Sequence, residues 1–323
     1  MIISTEKPTV NNVLFLKETL EGLRSDTKYM HSKYFYDETG DYIFQQIMNM
    51  EEYYLTDAEM EIMKHQADGI ADTISNDGAA FDLIELGAGD ATKSIHLLQN
   101  LLDKNLDFKY FPIDFSSHVI ADLEFNLPKN LPNLDFEGLN GDYFDMLKKA
   151  TQISDRKKVV LFMGANIGNM NVTDANAFCI KLRELLSVDD ILIIGFDVKK
   201  NPQKILNAYN DKAGITKSFN LNLLKRINRE LEGDFDLNSF DHYACYDPES
   251  GACKSYLISL KKQIVNIGGT SIHFAKDEYI NMEISQKYSL DEIEKLAKES
   301  GFKVLQYFSD QNNYFVDSVW KVA

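Results

Sequence analysis

Cysteine is scarce in this chain, and long apolar runs are missing. Cys179, Cys245 and Cys253 are the only cysteines among 323 residues, and they show no C-x-x-C spacing. They imply a reducing compartment and argue against a disulfide framework or a cysteine-bound metal cluster. No apolar stretch approaches the roughly 20 residues that cross a bilayer. The opening Met1-Ile-Ile-Ser-Thr-Glu-Lys-Pro8 has no cationic segment leading into an apolar one, so no signal peptide is expected. Positive charge is also short: the formal net charge of −16 argues against nucleic acid or an anionic membrane as partner. The six histidines (His31, His65, His96, His118, His242 and His273) are scattered without an H-E-x-x-H pattern, and no metal site is expected. Internal repeats and low-complexity tracts are lacking. These absences leave a cytoplasmic protein with a small-molecule partner, as a monomer or weak homo-oligomer. Its length allows one large core or two moderate ones, and apolar residues at 44% are ordinary for that class.

The most informative stretch present is Phe81-Asp-Leu-Ile-Glu-Leu-Gly-Ala-Gly-Asp-Ala-Thr-Lys93. It reads as a buried strand, a glycine turn and a helix start. Gly87 and Gly89 let the backbone approach a nucleotide-type ligand at the mouth of a parallel sheet. Ala91 stands where the dinucleotide pattern would carry its third glycine. With Glu85 before the turn, this suits S-adenosylmethionine better than NAD and favours a methyltransferase. An NAD oxidoreductase is the rival enzyme reading, and a non-catalytic S-adenosylmethionine-binding protein is the rival outside enzymes.

Strand and helix then alternate. Strands are expected at Phe81–Leu86, Tyr110–Asp114, Leu134–Leu139, Lys158–Met163 and Ile191–Asp197. Helical spacing lies between them, through Leu101, over Val119–Phe125 and over Asp174–Leu186. The continuous apolar runs are those of strands covered on both faces. Residues 199–287 break the pattern, with helical text at Pro202–Tyr209 and Phe219–Leu231 and β-rich text at Lys254–Leu260 and Tyr279–Ser285. The interruption is too long for a plain loop. A capping box at Ser289-Leu-Asp-Glu292 opens a helix that stops at Gly301, and strands at Phe302–Phe308 and Tyr314–Val322 close the chain. The expected architecture is α/β: a seven-stranded, doubly wound, Rossmann-like methyltransferase sheet with a second, smaller α+β substrate domain. The core would comprise residues 63–198 and 288–323. The substrate lobe would comprise residues 199–287 together with the helical, tyrosine-rich residues 1–62.

Three polar positions follow successive strands, where open α/β sheets bind ligands. The glycine turn would meet the amino-acid end of the cofactor. Asp114 would meet the ribose hydroxyls, and Asp142 with Tyr143 the adenine amine and ring face. Taken singly, each acid is equally a helix cap or turn residue. Lys93, at the first helix, is either a solvated charge or a partner for the cofactor carboxylate. Methyl transfer to an amine requires proton removal and leaves a cation, and both demands suit aromatic faces and phenols. Tyrosines cluster at Tyr34-Phe-Tyr36, Tyr53-Tyr54 and Tyr209. Asn169, in the glycine turn after the fourth strand, either bonds substrate or closes an Asx turn. Glu283 and Ser285 alternate on one strand face, a sensible pair for the nitrogens of an imidazole.

These residues together resemble the histidine-specific methyltransferase family, whose ergothioneine-pathway members trimethylate the α-amine of histidine to hercynine. The most specific stretches are Tyr36-Asp-Glu-Thr-Gly-Asp-Tyr-Ile-Phe44 and Glu52-Tyr-Tyr-Leu-Thr56. Gly164–Asn169, Ala208–Gly214 and Asn228–Leu231 also match. The resemblance implies Tyr53, Asn169 and Tyr209 around the substrate carboxylate and amine, and Tyr36 near the reacting nitrogen. It places Glu283 and Ser285 at the imidazole, and Gly87, Lys93, Asp114, Asp142 and Tyr143 at the cofactor. One departure is Tyr256, where the histidine enzymes carry a methionine beside the side-chain pocket. Fungal relatives methylate a tryptophan-derived amine, so another amino acid or aromatic amine is the alternative substrate. The Glu283–Ser285 pair favours imidazole, because an indole has one donor and leaves the pair unsatisfied.

Overall fold

The computed structural model describes residues 10–323; the leader reading at residues 1–8 lies outside the described residues. In chain order, α1 (Val10–Arg24) and α2 (Glu38–Met48) precede α3 (Tyr54–Ile74). Next come β1 (Phe81–Leu86), α4 (Ser94–Asp103), β2 (Phe108–Asp114), α5 (Ser117–Asn130), β3 (Leu139–Asn140) and α6 (Tyr143–Thr151). β4 (Lys157–Phe162), α7 (Val172–Leu185) and β5 (Ile191–Asp197) complete the alternation. α8 (Pro202–Tyr209) and α9 (Ile215–Glu230) lead into β6 (Phe240–Tyr246), β7 (Ala252–Ser259), β8 (Gln263–Ile267), β9 (Thr270–Phe274) and β10 (Tyr279–Gln286). α10 (Leu290–Glu299), β11 (Phe302–Ser309) and β12 (Phe315–Val322) follow. The chain divides into two compact units: Tyr54–Lys200 with Gln286–Ala323, and Asn201–Ser285 with the described residues through Tyr53. The expected boundary at residue 62 falls inside α3, which runs through it without a break.

In the larger unit, seven strands form one sheet in the order β11-β12-β5-β4-β1-β2-β3. β1 pairs in parallel with β2 and β4, β4 with β5, and β12 runs antiparallel to both β5 and β11. This is the expected doubly wound sheet with a closing hairpin. All residues of β1 and β5 are buried, which is why β5 reads as an apolar run without alternation, while β1 buries Asp82 and Glu85 among its apolar residues. One face packs Ile84, Phe111, Val160, Leu192 and Trp320 in a single core with Ile293 and Leu296 of α10. Ser289 and Glu292 form the expected capping box, a device that contributes about 0.5–2 kcal/mol. The third strand is shorter than expected: only Leu139 and Asn140 pair with β2, and Phe136 makes an isolated bridge to Tyr110. No described helix is long and apolar enough to cross a membrane.

In the smaller unit, the β10-β7-β6 sheet lays Phe240, Leu257, Ile280 and Met282 against Phe219, Leu223 and Ile227 of α9. Phe35 stacks on Phe219 at 4.9 Å. Asp37, which caps α2, also accepts from Asn222 (2.8 Å) and Arg229 (2.6 Å) of α9. Met30 donates its amide to the Asn281 carbonyl at 2.9 Å, so the N-terminal segment and the strands after residue 239 share one core. The pair β8–β9 turns at Gly268-Gly269 and was not separately legible in the sequence.

Candidate active site

At the end of β1 the chain turns sharply, and the Gly87 and Ala88 amides donate to the Ile113 carbonyl of β2 at 2.8 and 3.2 Å. Gly87 has φ +74°, and a Cβ there would lie 2.7 Å from the Tyr143 hydroxyl oxygen. Gly89 has φ +53° and donates its amide to Asp114 Oδ2 at 3.3 Å. A Cβ on Gly89 would meet nothing within 4 Å, so this backbone faces open space. Asp114 is itself fixed: its Oδ1 accepts the Ser116 amide at 2.9 Å, and Asn140 Nδ2 donates to the Asp114 and Phe115 carbonyls. Tyr143 packs against Phe115 (ring centroids 5.0 Å) and Phe162 (6.3 Å). Burial, with Asp114 and Asp142 nearby, pushes its phenol up to about 12. Asp142 lies exposed beside it and caps α6 through the Phe144 and Asp145 amides.

Gly87, Gly89, Asp114, Asp142 and Tyr143 thus gather at one sheet edge. Phe115, 61% exposed next to Tyr143, joins them and was missed from sequence; its signal is an aromatic directly after a strand-end acid. The open backbone at Gly89 beside a fixed carboxylate fits an adenosyl group. Replacing Gly87 with alanine combines about 1–2 kcal/mol of left-handed strain with the Tyr143 clash. It is expected to weaken S-adenosylhomocysteine binding about tenfold or more in titration calorimetry. Unchanged affinity would show that ligand does not approach this turn.

Glu85 corrects the sequence reading. Its carboxylate points into the core, where it accepts from the hydroxyls of Ser94 and Tyr110, the latter at 2.5 Å. Burial pushes it up to about 7 against the lowering effect of those bonds and of Lys93. It supports the turn from behind, with each carboxylate oxygen already taken by a hydroxyl of the core. Lys93 is likewise not a solvated charge, since its ammonium pairs with Glu59 of α3. Glu59, inside α3, was missed from sequence, because nothing local to it points to Lys93. Asn169 ends a short 3₁₀ turn after β4 and is exposed. Among the described residues, no group of three or more His, Cys, Asp or Glu residues is arranged to hold a metal.

The smaller unit brings three expected substrate residues into sequence-distant contact. The Tyr209 and Ser285 hydroxyls are 2.6 Å apart, and the Tyr53 ring meets Tyr209 edge-on at 6.2 Å. Glu283 shares the Ser285 face of β10 by strand alternation, and burial pushes its carboxyl up to about 7. Tyr256 packs edge-on against Tyr279 (5.3 Å), which lies on the same face of β10. Tyr256 also hydrogen-bonds Cys245, and burial with these neighbours pushes its phenol up to about 12. Tyr36 is placed differently, 44% exposed in an aromatic group with Phe44 and Phe219.

A family model described as histidine-specific, S-adenosylmethionine-dependent methyltransferase matches residues 15–322. A histidine N-alpha-methyltransferase from Mycolicibacterium smegmatis is 29% identical over 296 residues, covering 91% of this chain and 90% of that protein. Ergothioneine biosynthesis protein 1 from Schizosaccharomyces pombe is 27% identical, covering 94% of this chain but 40% of its own longer one. An L-tryptophan methyltransferase from Psilocybe serbica is 28% identical, covering 87% and 86%.

Proposed function

The chain belongs to the histidine-specific, S-adenosylmethionine-dependent methyltransferase family, and from that premise we propose that it methylates the α-amine of free L-histidine, up to the trimethylated product. The observation that carries this reading is the β10 face, where Glu283 and Ser285 stand together beneath the Tyr53–Tyr209 pair. A carboxylate and a hydroxyl satisfy the two imidazole nitrogens, which a purely apolar pocket would leave unpaired. Gly87, Gly89, Asp114, Asp142 and Tyr143 would hold S-adenosylmethionine, with Lys93 at its amino-acid end. When bound, that cofactor supplies an electrophilic methyl group on a sulfonium, and in-line displacement asks the protein chiefly to position the amine.

Tyr53, Asn169 and Tyr209 are the proposed holders of the substrate carboxylate and amine. Tyr36 is the proposed acceptor or relay for the departing proton. A free phenol pKa near ~10 makes a water-assisted relay the more economical form of that role at neutral pH. The negative charge and sparse cysteines support a cytoplasmic, metal-independent enzyme, acting as a monomer or weak homo-oligomer.

The test is titration of histidine with and without S-adenosylhomocysteine, followed by product mass spectrometry on a panel that includes tryptophan. Cooperative histidine binding and methylated histidine are expected. Turnover of another amine alone would replace the substrate, and cofactor binding without any turnover would replace the enzyme.

A pH dependence follows from Glu283. Because burial raises its carboxyl to about 7 in the free enzyme, lowering the pH through that value converts an acceptor into a neutral acid. The ratio kcat/KM, which reports free-enzyme groups, is expected to fall below about pH 7. The difference between wild type and Glu283→Gln isolates this limb from the substrate's own imidazole. Identical profiles for the two proteins would remove Glu283 from the substrate contact.

A further inference from the structure

Glu59 lies on the core side of α3, with its side chain 1% exposed, where a leucine would pack at lower cost. A buried carboxylate is expensive unless its oxygens are satisfied. Here they divide: Oε1 accepts the Gly164 amide at 2.6 Å, and Oε2 takes the Lys93 ammonium. The sheet is shaped to admit it, because a Cβ on Gly195 of β5 would lie 2.5 Å from Glu59 Oε1. Lys93 keeps 27% of its side chain exposed. A Cβ on Gly164, in the turn after β4, would lie 3.7 Å from its ammonium.

We propose that Glu59 is a positioning residue of the cofactor site, holding the Lys93 ammonium at the mouth of β1 and β4 to receive the carboxylate of the cofactor's amino-acid end. This deepens, and rests on, the cofactor reading above.

The charges facing Lys93 come from three elements: Glu59 of α3, Glu85 of β1 and Asp317 of β12. Three ionised carboxylates would overcompensate one ammonium, and the surroundings prevent that. Asp317 is fully buried, and neither of its carboxylate oxygens has a hydrogen-bond partner among the described residues. Burial and the neighbouring Glu59 push it well above the carboxylate range. Glu85 is raised to about 7 and occupied by Ser94 and Tyr110. Of the three, Glu59 is the one whose carboxylate bonds the Lys93 ammonium, and its charge works against the desolvation of that ammonium. One partner uses one of three ammonium donors, and the others remain for an anionic ligand.

The test is S-adenosylhomocysteine titration of wild type, Glu59→Gln, Lys93→Met and the double variant between pH 6.5 and 9.5. Glutamine keeps an acceptor for the Gly164 amide but removes the anion. Glu59→Gln is expected to bind about tenfold more weakly at neutral pH, the equivalent of one charge-assisted hydrogen bond. Its affinity should fall further at alkaline pH, where wild type holds, because Lys93 loses the group that keeps it charged. The double variant should bind no more weakly than Lys93→Met. Affinity within twofold of wild type across the pH range, or losses that multiply in the double variant, would overturn the proposal. Should glutamine at 59 not fold, Glu59→Asp is expected to show the same alkaline loss at smaller size, and its absence counts equally against the proposal. Wild type that fails to bind S-adenosylhomocysteine sinks the cofactor reading instead.

Discussion

Replacing Glu283 with leucine is expected to lower kcat/KM for histidine by about a hundred- to a thousandfold. A hydrogen bond to a charged group contributes about 1.5–3 kcal/mol, and leaving the imidazole donor unpaired adds about 1–3 kcal/mol. Burial already holds the Glu283 carboxyl near 7, so the apolar replacement enters a site that tolerates it and the fold should survive. Changing Tyr256 to leucine as well removes the phenol that packs beside Tyr279. The double variant is expected to turn preference from histidine towards tryptophan, whose indole presents one ring nitrogen to satisfy where imidazole presents two. Relative kcat/KM for the two amino acids is the measurement. An unchanged ratio would remove both residues from the side-chain pocket.

The second large effect concerns stability. Asp197, at the end of β5, is fully enclosed and carries several partners. It accepts the Tyr54 hydroxyl at 2.9 Å, and it pairs with Lys287 at 2.7 Å and with Lys200. Tyr54 opens the larger unit, Lys200 ends its first segment, and Lys287 is the second residue of its other segment. Burial has already pulled the Lys200 ammonium down to about 8 despite the anion beside it. Asp197→Ala leaves enclosed cations without a counter-charge and is expected to cost about 3–5 kcal/mol in urea unfolding. A loss under about 1 kcal/mol would mean that water or another group replaces the carboxylate.

Much of the fold was legible because its signals are local. β4 and β5 announce themselves by the apolar stretches Val159–Phe162 and Ile191–Phe196, and Ser289–Glu292 and Gly301 bracket α10 with standard start and stop chemistry. β3 was overextended because Leu134–Leu139 pairs with β2 only in part: Phe136 makes an isolated bridge to Tyr110, and the ladder begins at Leu139. The site was legible where residue type and strand-end position sufficed, as at Gly87, Asp114 and Tyr143. It was not legible where side-chain direction decides. Glu85 stands two residues before Gly87, yet its carboxylate turns into the core. Glu59 is remote in sequence and meets Lys93, at the start of α4, because α3 packs along α4.

β12 lies between β5 and β11, yet more than a hundred residues separate it from β5 in the chain. On the ribosome, β5 is complete long before the strand that must cover its edge has been translated. Its edge is therefore bare while Asn201–Ser285 emerges, which is the condition under which nascent chains pair wrongly with one another. Early folding of Asn201–Ser285 on the core it shares with the already translated N-terminal segment would shorten the distance that residues 315–322 must search. The yield of this protein is thus tied to how quickly a segment outside the central sheet condenses.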